Sequence, residues 1–406
     1  MHAPAPSHPF QLRLAEFVAM IAGLMAMAAL STDSMLPALP AIGASLHVGN
    51  PNDRQAVIST FMLGFGMAQI VYGPLSDRFG RRPTIMVSLV LAVALNLVAA
   101  FAASFTLLLA ARFACGLALA ACRVLSISIV RDRFAGDHMA RVMSLVSIVF
   151  MIVPIIAPNL GQAIIAIAHW RWIFGVMALA ALMLFIWVAI RLPETLNPAH
   201  RLPLSLARMG EGFRYVLTDR QALGYASAAT LLQGGMFGFI LSVEQVFENA
   251  FHAPRLLGPM FSVIASAMIA ASFLNSRIVT QFGARAVSHR AVLGYTGFAL
   301  LHLAVAAAGL ETLAGFAVLQ ALTLACFGLA GANCNAIAME HMGRIAGTAS
   351  SVQGMMQTVG GVAIGASIGA AFNGTTVPLY AGFALCGLLA FGAIAFAEQG
   401  RLFGRA

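Results

Sequence analysis

The chain alternates long apolar runs with short polar breaks. Runs bounded by charge, Pro or Gly lie near 14–37, 55–73, 83–103, 105–130, 140–166 and 172–191. After a polar stretch, six more lie near 221–245, 257–276, 287–309, 312–338, 346–371 and 377–397. A helix needs about 20 apolar residues to cross the hydrocarbon core of a bilayer. The pattern therefore predicts an all-α membrane protein of twelve spans, with the Gly-rich eleventh the place to look for a break. The segment before the first run lacks a cleavable-signal layout, so that run reads as the first membrane helix.

Composition agrees with this reading. The chain of 406 residues is 60% hydrophobic and 9% charged, with mean hydropathy +0.90. Soluble domains carry roughly a quarter charged residues, and a water-facing shell of this size could not be covered with so few. The net charge of +9 would suit nucleic acid if the basic residues clustered. All 23 are Arg, and most sit in or beside the breaks between runs. With the N-terminus placed in the cytoplasm, eighteen fall in inner segments and Arg54, Arg171 and Arg255 in outer loops; Arg112 and Arg123 lie within a span. That asymmetry predicts both termini inside. The five cysteines lie inside apolar runs without metal-ligand spacing and read as small packing residues.

The sequence also repeats. DRFGRRP at 77–83 returns as TQFGARA at 280–286, half a chain later, each copy following an even-numbered span. Two six-span halves of like orientation follow: 1–191 and 221–406, joined by a cytoplasmic linker at 192–220.

Four stretches make the family recognisable. GPLSDRFGRR (73–82) resembles the loop 2–3 signature of the major facilitator superfamily. ALSTDSMLPALPAI (29–42), IVRDRFAGDHMARVMSLV (129–146) and HWRWIFGVMALAALMLFIWVAIRLPETL (169–196) resemble the Bcr/CflA-type drug:proton antiporters. The resemblance implies a bacterial inner-membrane exporter with the major facilitator fold. It also implies that Gly73, Asp77, Arg78, Gly80, Arg81 and Arg82 form a latch between the halves. From the residues alone, Gly73 and Gly80 suit a tight helix–helix turn, and the arginines suit helix C-termini or lipid phosphate.

Charge at membrane depth supplies the remaining candidates, because it is costly there and usually functional. Arg112 and Gly116 match the superfamily's R-x-x-Q-G pattern in span 4, with Cys115 in place of the glutamine. Arg123, eleven residues on, falls within about 20° of the same helix face. Asp33 lies near the outer end of span 1, and if spans 1 and 4 share a cavity, as in the superfamily, it can pair with Arg112 and carry a proton. Glu244 is the second proton-carrying candidate; Glu16 and Glu311 read as interfacial. In span 5, Pro154, Pro158 and Gly161 predict a kink; Pro158 and Gly161 keep part of the superfamily's antiporter pattern G-x-x-x-G-P-x-x-G-G, from which Val153, Ala157 and Gln162 depart. Met27, Met35, Gln233, Phe237 and Phe239, with Arg123, would line a cavity for large, partly apolar solutes.

No nucleophile–base pair, metal spacing or G-x-x-x-x-G-K-[ST] motif accompanies these residues. The expected protein is therefore a transporter with no cofactor, driven by a proton gradient, not an enzyme or receptor. Its expected partners are a small-molecule substrate, protons and lipid, with no nucleic acid, and it is expected to act as a monomer. Export of drugs, hence antibiotic resistance, is the leading reading. Transport of a specific metabolite, such as an amino acid or organic anion, is the alternative within transport.

Overall fold

The computed structural model describes residues 12–197, 201, 206–342 and 346–403. Arg344 and Arg405, counted above among the inner arginines, lie outside the described residues, as does most of 198–205 in the linker.

The membrane helices are α1 (Leu14–Asp33), α2 (Ala56–Phe79), α3 (Arg81–Ala100), α4 (Phe105–Arg133), α5 (Gly136–Ile167) and α6 (Arg171–Arg191) in the first half. In the second are α7 (Arg220–Gln245), α8 (Leu257–Phe282), α9 (Ala284–Ala307), α10 (Leu313–Ala338), α11 and α12 (Val377–Ala397). Eleven are single helices long and apolar enough to cross a membrane. The twelfth, α11, is the Gly-rich run: Ala346–Met355 and Gly361–Ala370 joined through a π turn, Met356–Gly360. A π turn widens a helix without ending it, so the break anticipated there is a bulge. α1 is extended past Pro37 by a 3₁₀ turn, Leu36–Ala38, and a short helix, Leu39–Ser45.

Helix starts follow local chemistry. Ser104, Asp219 and Thr312 accept from the backbone N–H three residues on, and so cap α4, α7 and α10. Between α2 and α3 the chain turns at Gly80, whose φ of 101° only glycine adopts readily.

Packing follows the repeat. α2 packs on α4, α3 on α4 and α6, and α1 on α5; in the second half α8 packs on α10, α9 on α10 and α12, and α7 on α11. The halves meet through α5 against α8 and α2 against α11, two contacts that exchange under the pseudo-twofold relating the halves. α2 and α4 approach closely because two glycines face each other's backbones. A Cβ on Gly116 would lie 2.0 Å from the Phe61 carbonyl oxygen, and one on Gly64 2.2 Å from that of Phe113. Outward, Leu179, Leu182, Met183, Ile186 and Ile190 leave one exposed apolar stripe on α6, which suits lipid.

The linker contains an element the polar stretch did not predict. Leu206–Thr218 forms a helix, and its Phe213 and Val216 pack with Ile70, Ala222, Ala349 and Val352. It lies on the face that carries the 73–82 turn, called the turn face below.

Candidate functional site

At the turn face the halves part around a cavity of about 410 Å³. α2, the start of α3 and α4 contribute Gln69, Asp77, Arg81, Arg123 and Arg131; α10 and α11 contribute Asn335, Gln353 and Gln357. Its inner end is pinned by one bond across the halves, from Gln69 Nε2 to Thr358 Oγ1 at 3.0 Å.

On the opposite face the halves are joined. Gln55 Nε2 donates to Gln245 Oε1 at 3.0 Å and to the Gly369 carbonyl at 3.2 Å; Gln245 Nε2 donates to Asn52 Oδ1 at 2.9 Å. Asn52 Nδ2 donates to the Ala370 and Phe372 carbonyls. Between α5 and α8, Asn159 Nδ2 donates to Ser262 Oγ at 2.8 Å, and Gln162 Nε2 to the Pro254 carbonyl at 3.0 Å. Arg54 reaches Glu244 and Glu248 of the other half at 4.0 Å each. An apolar layer including Met35, Val57, Phe239 and Phe261 fills the space beneath. The path between the halves is thus open on one side and closed on the other.

The predicted charged residues separate into different environments. Arg112 is 1% exposed and does not meet Asp33. Its Nε donates to the Val57 carbonyl at 3.0 Å and its Nη2 to the Ser31 carbonyl at 2.9 Å, with the Phe61 ring 4.3 Å away. Backbone dipoles and an aromatic face hold the cation inside the first half. Arg112 and Arg123 share a helix face but not an environment, because α1, α2 and α6 close over the outer part of α4 while the cavity opens beside its inner part. Arg123 lines that cavity and is exposed to it. Asp33 is buried, accepts from Thr32 Oγ1 at 3.1 Å, and is the one charged residue of a small pocket, about 40 Å³, between the halves. The rest of that pocket is apolar, with Pro154, Met236, Phe239 and Phe261 among its walls. Glu244 is 3% exposed and belongs to the closed face.

The predicted cavity set is corrected in part. Arg123 lines the large cavity and Phe239 the small pocket. Met27 and Met35 are buried in core clusters, and Phe237 packs against Gly361 and Gly365 within the second half. Gln233 packs on Gly361 and lines neither space. Apolar composition alone does not tell a cavity face from a packing face. α5 runs through Pro154 and Pro158 as one helix, and Gly161 is where it touches α1: a Cβ there would lie 2.2 Å from the Ser34 carbonyl oxygen.

In this conformation the 73–82 turn bonds within the first half. Arg81 Nη1 meets Asp77 Oδ1 at 2.6 Å, and its Nε meets Asp132 Oδ2 at 3.0 Å. Glu194, just past α6, accepts from the backbone N–H of Arg81 and Arg82 and so caps α3. Arg82 donates to the Ala189 carbonyl, and Arg78 lies over Phe79. Among the described residues these charges brace the first half alone, since the cavity separates the halves at this level. Gly80 is required, whereas a Cβ on Gly73 would meet nothing within 4 Å. The second copy builds a similar brace: Arg285 bridges Glu340 at 2.7 Å and Glu398 at 2.9 Å. Hydrogen bonding to Arg285 holds the Glu340 carboxyl below its ordinary pKa.

Sequence reading missed the polar seal at the closed face, where Asn52, Gln55, Asn159 and Gln245 look like ordinary span-end residues. It also missed a buried group in the second half. There His302 Nε2 lies 2.6 Å from Glu311 Oε1, Glu311 accepts from Thr376, and the imidazole stacks on Tyr380.

Comparison with known proteins agrees with the geometry. The profile of the Major Facilitator Superfamily matches residues 21–366. A bicyclomycin resistance protein homolog of Haemophilus influenzae is 31% identical over 86% of this chain and 87% of its own length. The multidrug resistance protein MdtL of Shewanella oneidensis is 28% identical over 74% of this chain and 79% of its own. The xylose transporter XylE from E. coli superposes with TM-score 0.74 at 11% identity, covering 93% of this chain and 97% of its own, a likeness of fold. Twelve helices in two related halves, a path open on one side, and a profile matched over most of the length place this chain in the Major Facilitator Superfamily, as a membrane transporter.

Proposed function

We propose that this chain exports small, partly apolar molecules, drugs among them, across a bacterial inner membrane in exchange for protons. The observation that carries the reading is the path itself: open to the turn face and closed opposite by bonds that all cross between the halves. A rocking motion that broke the Gln55–Gln245 and Asn159–Ser262 bonds and closed the cavity would expose the same space to the other side. The names of the bicyclomycin-resistance and multidrug-resistance relatives support a drug substrate. The excess of arginine on the turn face supports a cytoplasmic placement of that face and of both termini.

Asp33 and Glu244 are the proposed proton carriers. Each lies between the halves, where rocking changes its neighbours, and a carboxylate whose surroundings change between states binds and releases a proton. Asp33 faces the small apolar pocket between the halves. Arg112 takes the role of a fixed cation that orients the Ser31 end of α1. The chain is proposed to need no cofactor and to work as a monomer, with lipid as its solvent.

The test uses inside-out vesicles with an imposed pH gradient and a fluorescent pH probe. Antibiotics are added to vesicles holding wild type, Asp33→Asn or Glu244→Gln. Dissipation in wild type and its loss in Asp33→Asn are expected. A wild type that never responds to any drug overturns drug:proton exchange, and equal responses in all three overturn the assignment of the carboxylates.

A further inference from the structure

We infer that the large cavity selects organic anions, with Arg123, Arg131 and the amide of Gln353 receiving a carboxylate, sulfonate or phosphate-type group on a partly apolar solute. This deepens the reading of the cavity as the transport path and rests on it.

Among the described residues three arginines line the cavity, and one of them, Arg81, is neutralised. Arg81 is satisfied by Asp77, Asp132 and Ser76. Arg123 and Arg131 line the same space, both exposed to it, and no described carboxylate or hydrogen-bond acceptor holds either of them. Arg131 lies near the turn-face end of α4, where an arginine can serve as a topology anchor. Arg123 cannot be explained that way. It stands ten residues before the end of the helix, roughly 15 Å along its axis, and an unpaired guanidinium at that depth marks a ligand path.

The facing wall is rich in donors as well. Gln353 is 4% exposed, lines the cavity, and leaves its Nε2 without a partner. A buried amide donor without an acceptor is costly unless a ligand supplies one. Its neighbours are satisfied: Gln69 Nε2 is held by Thr358, and Gln357 Nε2 by Asn335 Oδ1 at 2.5 Å. Two unpaired cations and a buried amide without an acceptor therefore line one space, and among the described residues the carboxylate that shares it, Asp77, is held by Arg81. Val124, Ile127 and Met339 on the same walls supply apolar contact for the rest of a solute. Guanidinium groups suit planar oxyanions because their N–H donors match paired oxygens, whereas a cationic solute meets two like charges.

Binding is measured on the full chain in phosphatidylcholine nanodiscs, from the rise of the unfolding midpoint with probe concentration. The probes share one ring system: naphthalene-1-sulfonate, 1-naphthalenemethanol and 1-naphthylmethylammonium. The sulfonate is expected to bind more tightly than the alcohol, and the ammonium to give no rise. Arg123→Gln and Arg131→Gln should each weaken the sulfonate roughly 10- to 100-fold, as loss of a charged hydrogen bond does. Arg123→Lys, which keeps the charge but not the paired N–H donors, should recover part of the sulfonate binding lost in Arg123→Gln. An ammonium probe that binds as well as the sulfonate, or a sulfonate response unchanged in both glutamine variants, overturns the proposal. So does loss of the wild-type response when phosphatidylglycerol replaces phosphatidylcholine, which would give the arginines to a lipid headgroup. The probe series on wild type decides the question even where a variant fails to fold. Proton exchange is read separately in the vesicle assay: neutral drugs dissipating the gradient without anion selectivity sink this inference alone. Selective anion binding without proton movement for any compound sinks the exchange reading alone.

Discussion

Gly116→Ala should destabilise this protein, whereas Gly73→Ala, in the α2 helix against which Gly116 packs, should stabilise it. The added methyl at 116 would sit 2.0 Å from the Phe61 carbonyl oxygen and 2.9 Å from the backbone nitrogen of Phe65. Both are main-chain atoms of α2 and cannot rotate away. Ordinary contact begins near 3.4 Å, so α2 and α4 must separate by more than 1 Å, and Gly64 against Phe113 loses its fit at the same time. Overpacking of this kind costs about 1–3 kcal/mol. Exchanging glycine for alanine in a helix returns roughly 0.5–1 kcal/mol, so a clash at the upper end of the overpacking range leaves a net loss of about 2 kcal/mol. At position 73 the space is open, so only the gain remains. The assay is the thermal midpoint of detergent-solubilised protein, followed as loss of the folded peak on size exclusion. Shifts of opposite sign are expected. Equal shifts in one direction, or an unharmed Gly116→Ala, would refute the claim that backbone contact at Gly116 sets the α2–α4 distance.

Other outcomes follow from the same geometry. Glu194→Ala removes the acceptor for the backbone N–H groups of Arg81 and Arg82, so α3 loses its cap and the midpoint should fall by the equivalent of about 1 kcal/mol. Arg54→Ala removes the cation facing Glu244 and Glu248 across the closed face; a cysteine placed at Met236 should then react faster with a membrane-impermeant thiol reagent added on that side. The Arg285–Glu340 bond holds the Glu340 carboxyl below the ordinary glutamate value of 4.5. A depressed folded-state pKa contributes stability above the unfolded value and loses it as pH falls through the folded one. The midpoint difference between wild type and Glu340→Gln should therefore be full near pH 6 and vanish under strong acid; a difference that grows on acidification would contradict the bond.

What was legible in the sequence was what the solvent dictates. Hydrocarbon tolerates only backbone that bonds to itself, so twelve apolar runs of bilayer length had to be helices, and their edges fell within a few residues of α1–α12. The arginine asymmetry and the repeat at 77–83 and 280–286 carried the two-half organisation in the same way, because both are one-dimensional. Facing is not one-dimensional. Lipid and core favour the same apolar side chains, so Met27, Met35 and Phe237 could not be told from cavity residues. Arg112 and Arg123 lie on one stripe of α4, yet one is sealed by the Val57 and Ser31 carbonyls and the other faces open space. Only the crossing of α1 and α2 over the outer part of α4 decides which is which. The same holds for Gln55, Asn159 and Gln245, whose meaning lies in partners about a hundred or more residues away. Solvent acts on each segment separately and so writes itself into local composition. The seal and the cavity arise where segments meet, and only the tertiary structure brings those segments together.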